Sequence, residues 1–85
     1  MAEGTARDPL LQEREKTHGS FAANAATYAK LMQAVSWEEN IDSRQRLALS
    51  MIFLKIARLT QTPKVKDHWD DIAGYAKLGA EACDV

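Results

Sequence analysis

The chain has 85 residues, enough for one domain at most, and a monomer of that size buries only about 60% of its unfolded surface. Apolar residues make up 46% of it, well above a disordered segment, and the net charge of -1 excludes the general nucleic-acid affinity that a strongly basic balance brings. With one cysteine, Cys83, and two histidines, no disulfide or zinc cage can staple a small core, so self-association is the expected route to further burial.

The opening "MAEGTARDPL" lacks the basic-then-apolar order of a leader, and no apolar run approaches about 18 uncharged residues. No membrane partner is expected. A lone cysteine suits a reducing compartment, and the protein reads as soluble and intracellular.

Residues 1–8 are small and polar without periodicity and read as a disordered tail ahead of a single helical domain over 9–85. Pro9 suits a first helical turn, and "LLQERE" continues a short helix to about Lys16. Gly19 breaks the pattern, and Ser20 can cap a second helix over 20–35. In it Phe21, Ala25, Tyr28, Met32 and Val35 recur at steps of three and four, which predicts an apolar face, with Asn24, Lys30 and Gln33 off it.

"SWEENIDS" (36–43) holds turn formers and offers Asp42 and Ser43 as caps. The third helix, 43–60, is apolar on nearly every side and is therefore central. Pro63 closes it, Asp67 is the expected cap of a fourth helix over 67–83, and Asp70 and Asp71 fall in that helix's first turn. The short link makes helices three and four an antiparallel hairpin. Without strand-like alternation or internal repeats, the fold class is all-α: a short N-terminal helix, a long amphipathic helix and a helical hairpin, assembled as a homo-oligomer.

Three clusters carry chemistry. On the third helix Arg44, Lys55 and Arg58 fall within a ~60° sector. They either pair with Asp67, Asp71 or Glu81 across the hairpin or turn one or two cations toward a phosphate. On the fourth, "KDHWDDIAGYA" (66–76) places Asp67 and Asp71 on one face, where Mg²⁺ is one reading and helix capping the simpler one. All-α nucleotide pyrophosphatases carry a tandem Glu-Glu-x-x-Glu pattern; here Glu38 and Glu39 are adjacent in a loop and that pattern is absent. Gly74 and Gly79, among alanines, are read as points of close helix approach.

The third cluster is "REKTHGSF" (14–21). Arg14, Lys16 and His18 precede the amino end of the second helix, whose first N–H groups are unpaired and whose dipole is positive. Phe21 offers a ring on which a nucleobase could stack. The alternative is a surface junction with a capping serine. Asn24, one turn on, and Lys64 and Lys66 in the hairpin link complete the candidate ligand-binding set. No nucleophile-base-orienter arrangement can be assembled, so no catalytic residue, metal or cofactor is assigned and enzyme activity is not expected.

Together "REKTHGSF", "RQRLALSMIFLKIARL" and "DHWDDIAGYAKL" resemble a family of small phage-encoded helical-hairpin proteins that includes the anti-CBASS and anti-Thoeris sponges. The resemblance spans about residues 13–79. It implies a homohexamer in the host-cell cytoplasm that sequesters cyclic dinucleotides, and in some members cyclic trinucleotides at a separate threefold site, without cleaving them and without binding DNA or RNA. By position it makes Phe21 the stacking residue and Arg14, Lys16 and His18 its polar partners. A tyrosine is the expected stacking residue in such sponges, so phenylalanine here lacks that hydroxyl. The alternatives are a Mg²⁺-dependent hydrolase like the all-α nucleotide pyrophosphatases, using Asp67, Asp70 and Asp71, and a helical inhibitor of a host enzyme.

Overall fold

A computed structural model describes residues 8–37 and 39–85. The tail reading for 1–7, and Glu38, lie outside the described residues. Those described form four α-helices and no strand: α1 (Pro9–His18), α2 (Phe21–Ala34), α3 (Ser43–Gln61) and α4 (Lys66–Ala80).

Short-range chemistry sets each boundary. Asp8, assigned to the tail from sequence, instead caps α1, accepting a 2.7 Å hydrogen bond from the Leu10 N–H, with Pro9 at the first helical position. Gly19 ends α1 at φ 77°, in the left-handed region where only glycine sits without steric cost. Ser20 accepts from the Ala23 N–H at 3.3 Å and opens α2. Asp42 and Gln45 form a reciprocal capping box at α3, each side chain satisfying the other's backbone N–H (3.0 and 3.3 Å).

Asp67 does not cap α4. The helix starts a residue earlier, Val65 holds the cap position with no side-chain bond, and Asp67 contributes only through the dipole of the first turn. Lys66 is thereby drawn into the helix, where it pairs with Asp70 at 2.6 Å, while the Trp69 indole donates to the Pro63 carbonyl at 3.0 Å and ties down the bend.

Both α2 and α4 pack against α3 rather than against each other, and α1 touches α3 only lightly. Helix α4 runs back along α3: the Gln45 amide lies 3.7 Å from Cys83 Sγ, a Cβ on Gly79 would sit 3.5 Å from the Ala48 Cβ, and Lys55 meets Asp71 at 3.1 Å. Gly79 therefore marks a close helix approach, as expected. Gly74 does not, because nothing lies within 4 Å of the Cβ it lacks. The core centres on Ala48, Ala57 and Leu59 of α3. At the far end Trp37 leans on Phe53 (6.2 Å between centroids) and takes the Arg46 guanidinium over its ring at 5.0 Å.

The result is elongated: its extents are 55 × 25 × 17 Å and its radius of gyration is 15.6 Å. A compact domain of this length would have about 12 Å.

The apolar face predicted for α2 is rotated. Phe21 is 81% exposed and Ala25 is exposed, whereas Asn24 is buried toward α3. Hydrogen bonding explains the reversal: a buried amide is tolerated when its groups are paired. Asn24 Nδ2 donates to the His18 carbonyl at 2.6 Å, and Gln61 Nε2 donates to Asn24 Oδ1 at 2.5 Å. Gln61 Oε1 also accepts from the Ser20 N–H at 2.9 Å. A Cβ at Gly19 would fall 2.8 Å from the Gln61 side chain as well as adopting positive φ. Gly19→Ala is therefore expected to destabilise the fold by more than about 1 kcal/mol, read by thermal melting. An unchanged Tm would mean that this corner rearranges freely.

Candidate functional site

The corner between α1 and α2 is also the wall of a cavity of about 290 Å³, at the lower end of the range for small-ligand sites. Leu11, Arg14, Glu15 and His18 come from α1, Phe21, Asn24, Ala25 and Tyr28 from α2, Leu54 and Arg58 from α3, and Gly19 closes the turn. Four of the sequence-derived ligand candidates, Arg14, His18, Phe21 and Asn24, thus converge. Lys16 does not line the cavity; it is exposed and paired with Glu13 at 3.0 Å. Lys64 and Lys66 lie in the α3–α4 bend and at the start of α4, away from the lining, with Lys66 held by Asp70.

Arg58 lines the same cavity, so one cation of the predicted stripe stands in its wall while the others are dispersed. Lys55 is buried against Asp71, and Arg44 is exposed and paired with Asp42 at 3.0 Å. Among the described residues neither Arg14 nor Arg58 has a carboxylate at salt-bridge distance. Burial, then the neighbouring Arg14 guanidinium, pull Arg58 below its ordinary pKa, and Asp71 pulls the other way. Two guanidiniums that repel across a cavity form a place where an oxyanion relieves strain in the field.

His18 faces the same field. Its pKa is lowered, first by burial and next by Arg58, against the hydrogen bond to the Arg14 carbonyl, which raises it. Its Nδ1 lies 2.8 Å from Thr17 Oγ1 and 3.2 Å from the Arg14 carbonyl, so either an N–H to the carbonyl or an acceptor for the hydroxyl satisfies it. The unfolded chain holds the His18 proton more tightly than the folded one, so stability is present above the ordinary value of 6.5 and declines as pH falls through it toward the folded pKa. Melting from about pH 7.5 to about pH 5 should show the parent losing more stability than His18→Gln. Parallel curves would remove His18 from the titration.

At the amino end of α2 the protein itself uses two N–H groups, Ser20's for Gln61 and Ala23's for the Ser20 hydroxyl. Those of Phe21 and Ala22 have no acceptor among the described residues. Asn24 is less available than expected, since its amide is engaged at both ends by His18 and Gln61.

The acidic cluster of α4 lies elsewhere. Asp70 faces Lys66, Asp71 faces Lys55, and no group of three metal-ligating side chains occurs among the described residues. What sequence reading missed is polar and long-range: Gln61, Thr62 and His68. Thr62 Oγ1 lies 2.9 Å from the Thr17 carbonyl, and His68 Nε2 2.6 Å from it. Tyr28 was visible only as part of an apolar face. No local signal marks these residues, because each acts on a partner far away in the chain.

No helix among the described residues is long and apolar enough to cross a membrane. Neither a curated protein nor a solved structure matches the chain. A family model described as a domain of unknown function, DUF6378, matches residues 4–83, nearly the whole chain, and the protein belongs to that family.

Proposed function

We propose that this protein captures a cyclic dinucleotide in the α1–α2 corner and sequesters it without cleaving it, as the sponge resemblance implies. The observation that supports this reading is the pairing of Arg14 with Arg58 across a cavity that also presents Phe21 and Tyr28. Guanidinium forks suit phosphate oxygens, and an exposed ring suits a base. His18 and the spare N–H groups of Phe21 and Ala22 supply further hydrogen bonds.

The proposal includes a homo-oligomer, the hexamer that the resemblance implies, acting in the cytoplasm of an infected host. The elongated fold leaves Leu47 of α3 and Leu78 of α4 exposed. A second copy would provide the missing cover. Light scattering at micromolar concentration showing only the mass of one chain would refute that part.

The deciding experiment incubates the purified protein with cyclic di-AMP, cyclic di-GMP and cyclic GMP-AMP, measures depletion of free ligand, and then denatures the protein by heat. Depletion followed by release of intact nucleotide is expected. Recovered cleavage product would favour a hydrolase, and no depletion would favour a helical inhibitor of another protein. Within the same assay Phe21→Ala should lose roughly 1–3 kcal/mol of stacking, about ten- to hundredfold in affinity. Its exposure predicts an unchanged Tm. Parent-like affinity in this variant would move the base elsewhere.

A further inference from the structure

We propose that His68, outside the cavity, is a positioning residue for it: its Nε2–H, held on the Thr17 carbonyl, fixes the wall that carries Arg14 and His18. The inference rests on the ligand site proposed above and adds the element that builds it.

Helix α1 contributes Arg14 and His18 to the cavity yet buries none of its own residues. Apolar packing therefore does not set its place. Its carboxyl end is tied down by hydrogen bonds, because the last carbonyls of a helix lack intrahelical donors. One of these, Thr17's, receives His68 Nε2 at 2.6 Å and has Thr62 Oγ1 at 2.9 Å. The Thr62 hydroxyl is shared, lying equally 2.9 Å from the Arg58 carbonyl, so it can donate to only one at a time. His68 is the constant donor. It is 3% exposed, reaches Thr17 from 51 positions along the chain, and sets its ring edge-on to His18 at 5.4 Å between centroids. Through these contacts the start of α4 controls where α1 lies and how the His18 ring faces the cavity.

An isolated helix of ten residues is marginal in water. Without His68, α1 keeps only the Asn24 amide on the His18 carbonyl and the shared Thr62 hydroxyl, so it should spend more of its time detached, and affinity should fall by the fraction of molecules with the wall in place. The test compares His68→Leu, which keeps bulk and removes the donor, with His68→Gln, which restores an N–H at similar reach. Hydrogen exchange is read in α1 against α2–α4, and affinity is read with cyclic di-AMP, cyclic di-GMP and cyclic GMP-AMP. His68→Leu should accelerate exchange in α1 alone and weaken binding about tenfold or more, with His68→Gln close to the parent in both. Parent-like exchange in α1 of His68→Leu, or His68→Gln as impaired as His68→Leu, would overturn the proposal. If His68→Leu does not fold, His68→Gln and Thr62→Val decide it: a folded His68→Gln with detached α1 counts against the donor role, and Thr62→Val with α1 still docked supports it. Should the parent capture none of the three nucleotides, the ligand reading fails, while exchange in α1 still decides whether His68 holds that helix.

Discussion

Arg58→Met is expected to weaken cyclic dinucleotide capture by about tenfold to somewhat over a hundredfold while leaving the Tm unchanged or higher. The first half follows from the loss of a charge-assisted hydrogen bond, about 1.5–3 kcal/mol, converted at about 1.4 kcal/mol per decade. The second half follows from the surroundings of the guanidinium. Burial and Arg14 both disfavour the Arg58 charge, and it has no carboxylate at salt-bridge distance among the described residues, so an apolar side chain of similar length relieves a cost in the fold. Opposite signs for stability and binding separate a ligand residue from a packing residue. Isothermal titration with cyclic dinucleotides and melting at matched protein concentration give the two numbers. A large fall in Tm, or affinity equal to the parent's, would place Arg58 in the fold and not in the site. Raised salt should reduce the parent's affinity more than the variant's, because one fewer charge contacts the ligand.

Asp71→Ala should have the largest effect on stability. Lys55 Nζ lies 3.1 Å from Asp71 Oδ2, with the lysine side chain 11% exposed and the aspartate 46% exposed. Removing the acid strands a buried ammonium, whereas the half-exposed aspartate itself loses little in returning to water. The expected cost is about 1–3 kcal/mol, below that of a fully buried pair, and for a domain of this size it lowers the Tm by roughly 5–20 °C. Lys55→Met in the Asp71→Ala background should recover much of the loss, since no buried charge is then left unpaired. A parent-like Tm for Asp71→Ala would show that Lys55 reaches water or another acid. If both variants fold but retain no ligand capture, Asp71 would belong to function, and the pyrophosphatase-like alternative would gain weight.

By itself the sequence determined the class and the helices. Ser20, Gly19, the Asp42 and Gln45 pair and Pro63 each act within a few residues of where they stand, so their effect is legible without knowing what packs where. The long apolar circumference of α3 likewise required neighbours on more than one side. The two misread starts, Asp8 and Asp67, are local too: each lies within two residues of a helix boundary, where competing caps differ little in energy.

Only the tertiary structure decided which faces meet. Asn24 turns inward and Phe21 outward because Gln61, 37 positions from Asn24, supplies the bonds that make a buried amide tolerable. The stripe of Arg44, Lys55 and Arg58 is split because each cation meets a different neighbour: Asp42 on its own helix end, Asp71 on α4, and Arg14 on α1. His68, within the run 66–76, is neither part of an acidic cluster nor a helix cap. It is a buried donor to a carbonyl on α1. Hydrophobic periodicity encodes burial along one helix, whereas a hydrogen bond between distant side chain and backbone leaves no periodic trace, and so the cavity's composition was partly readable and its construction was not.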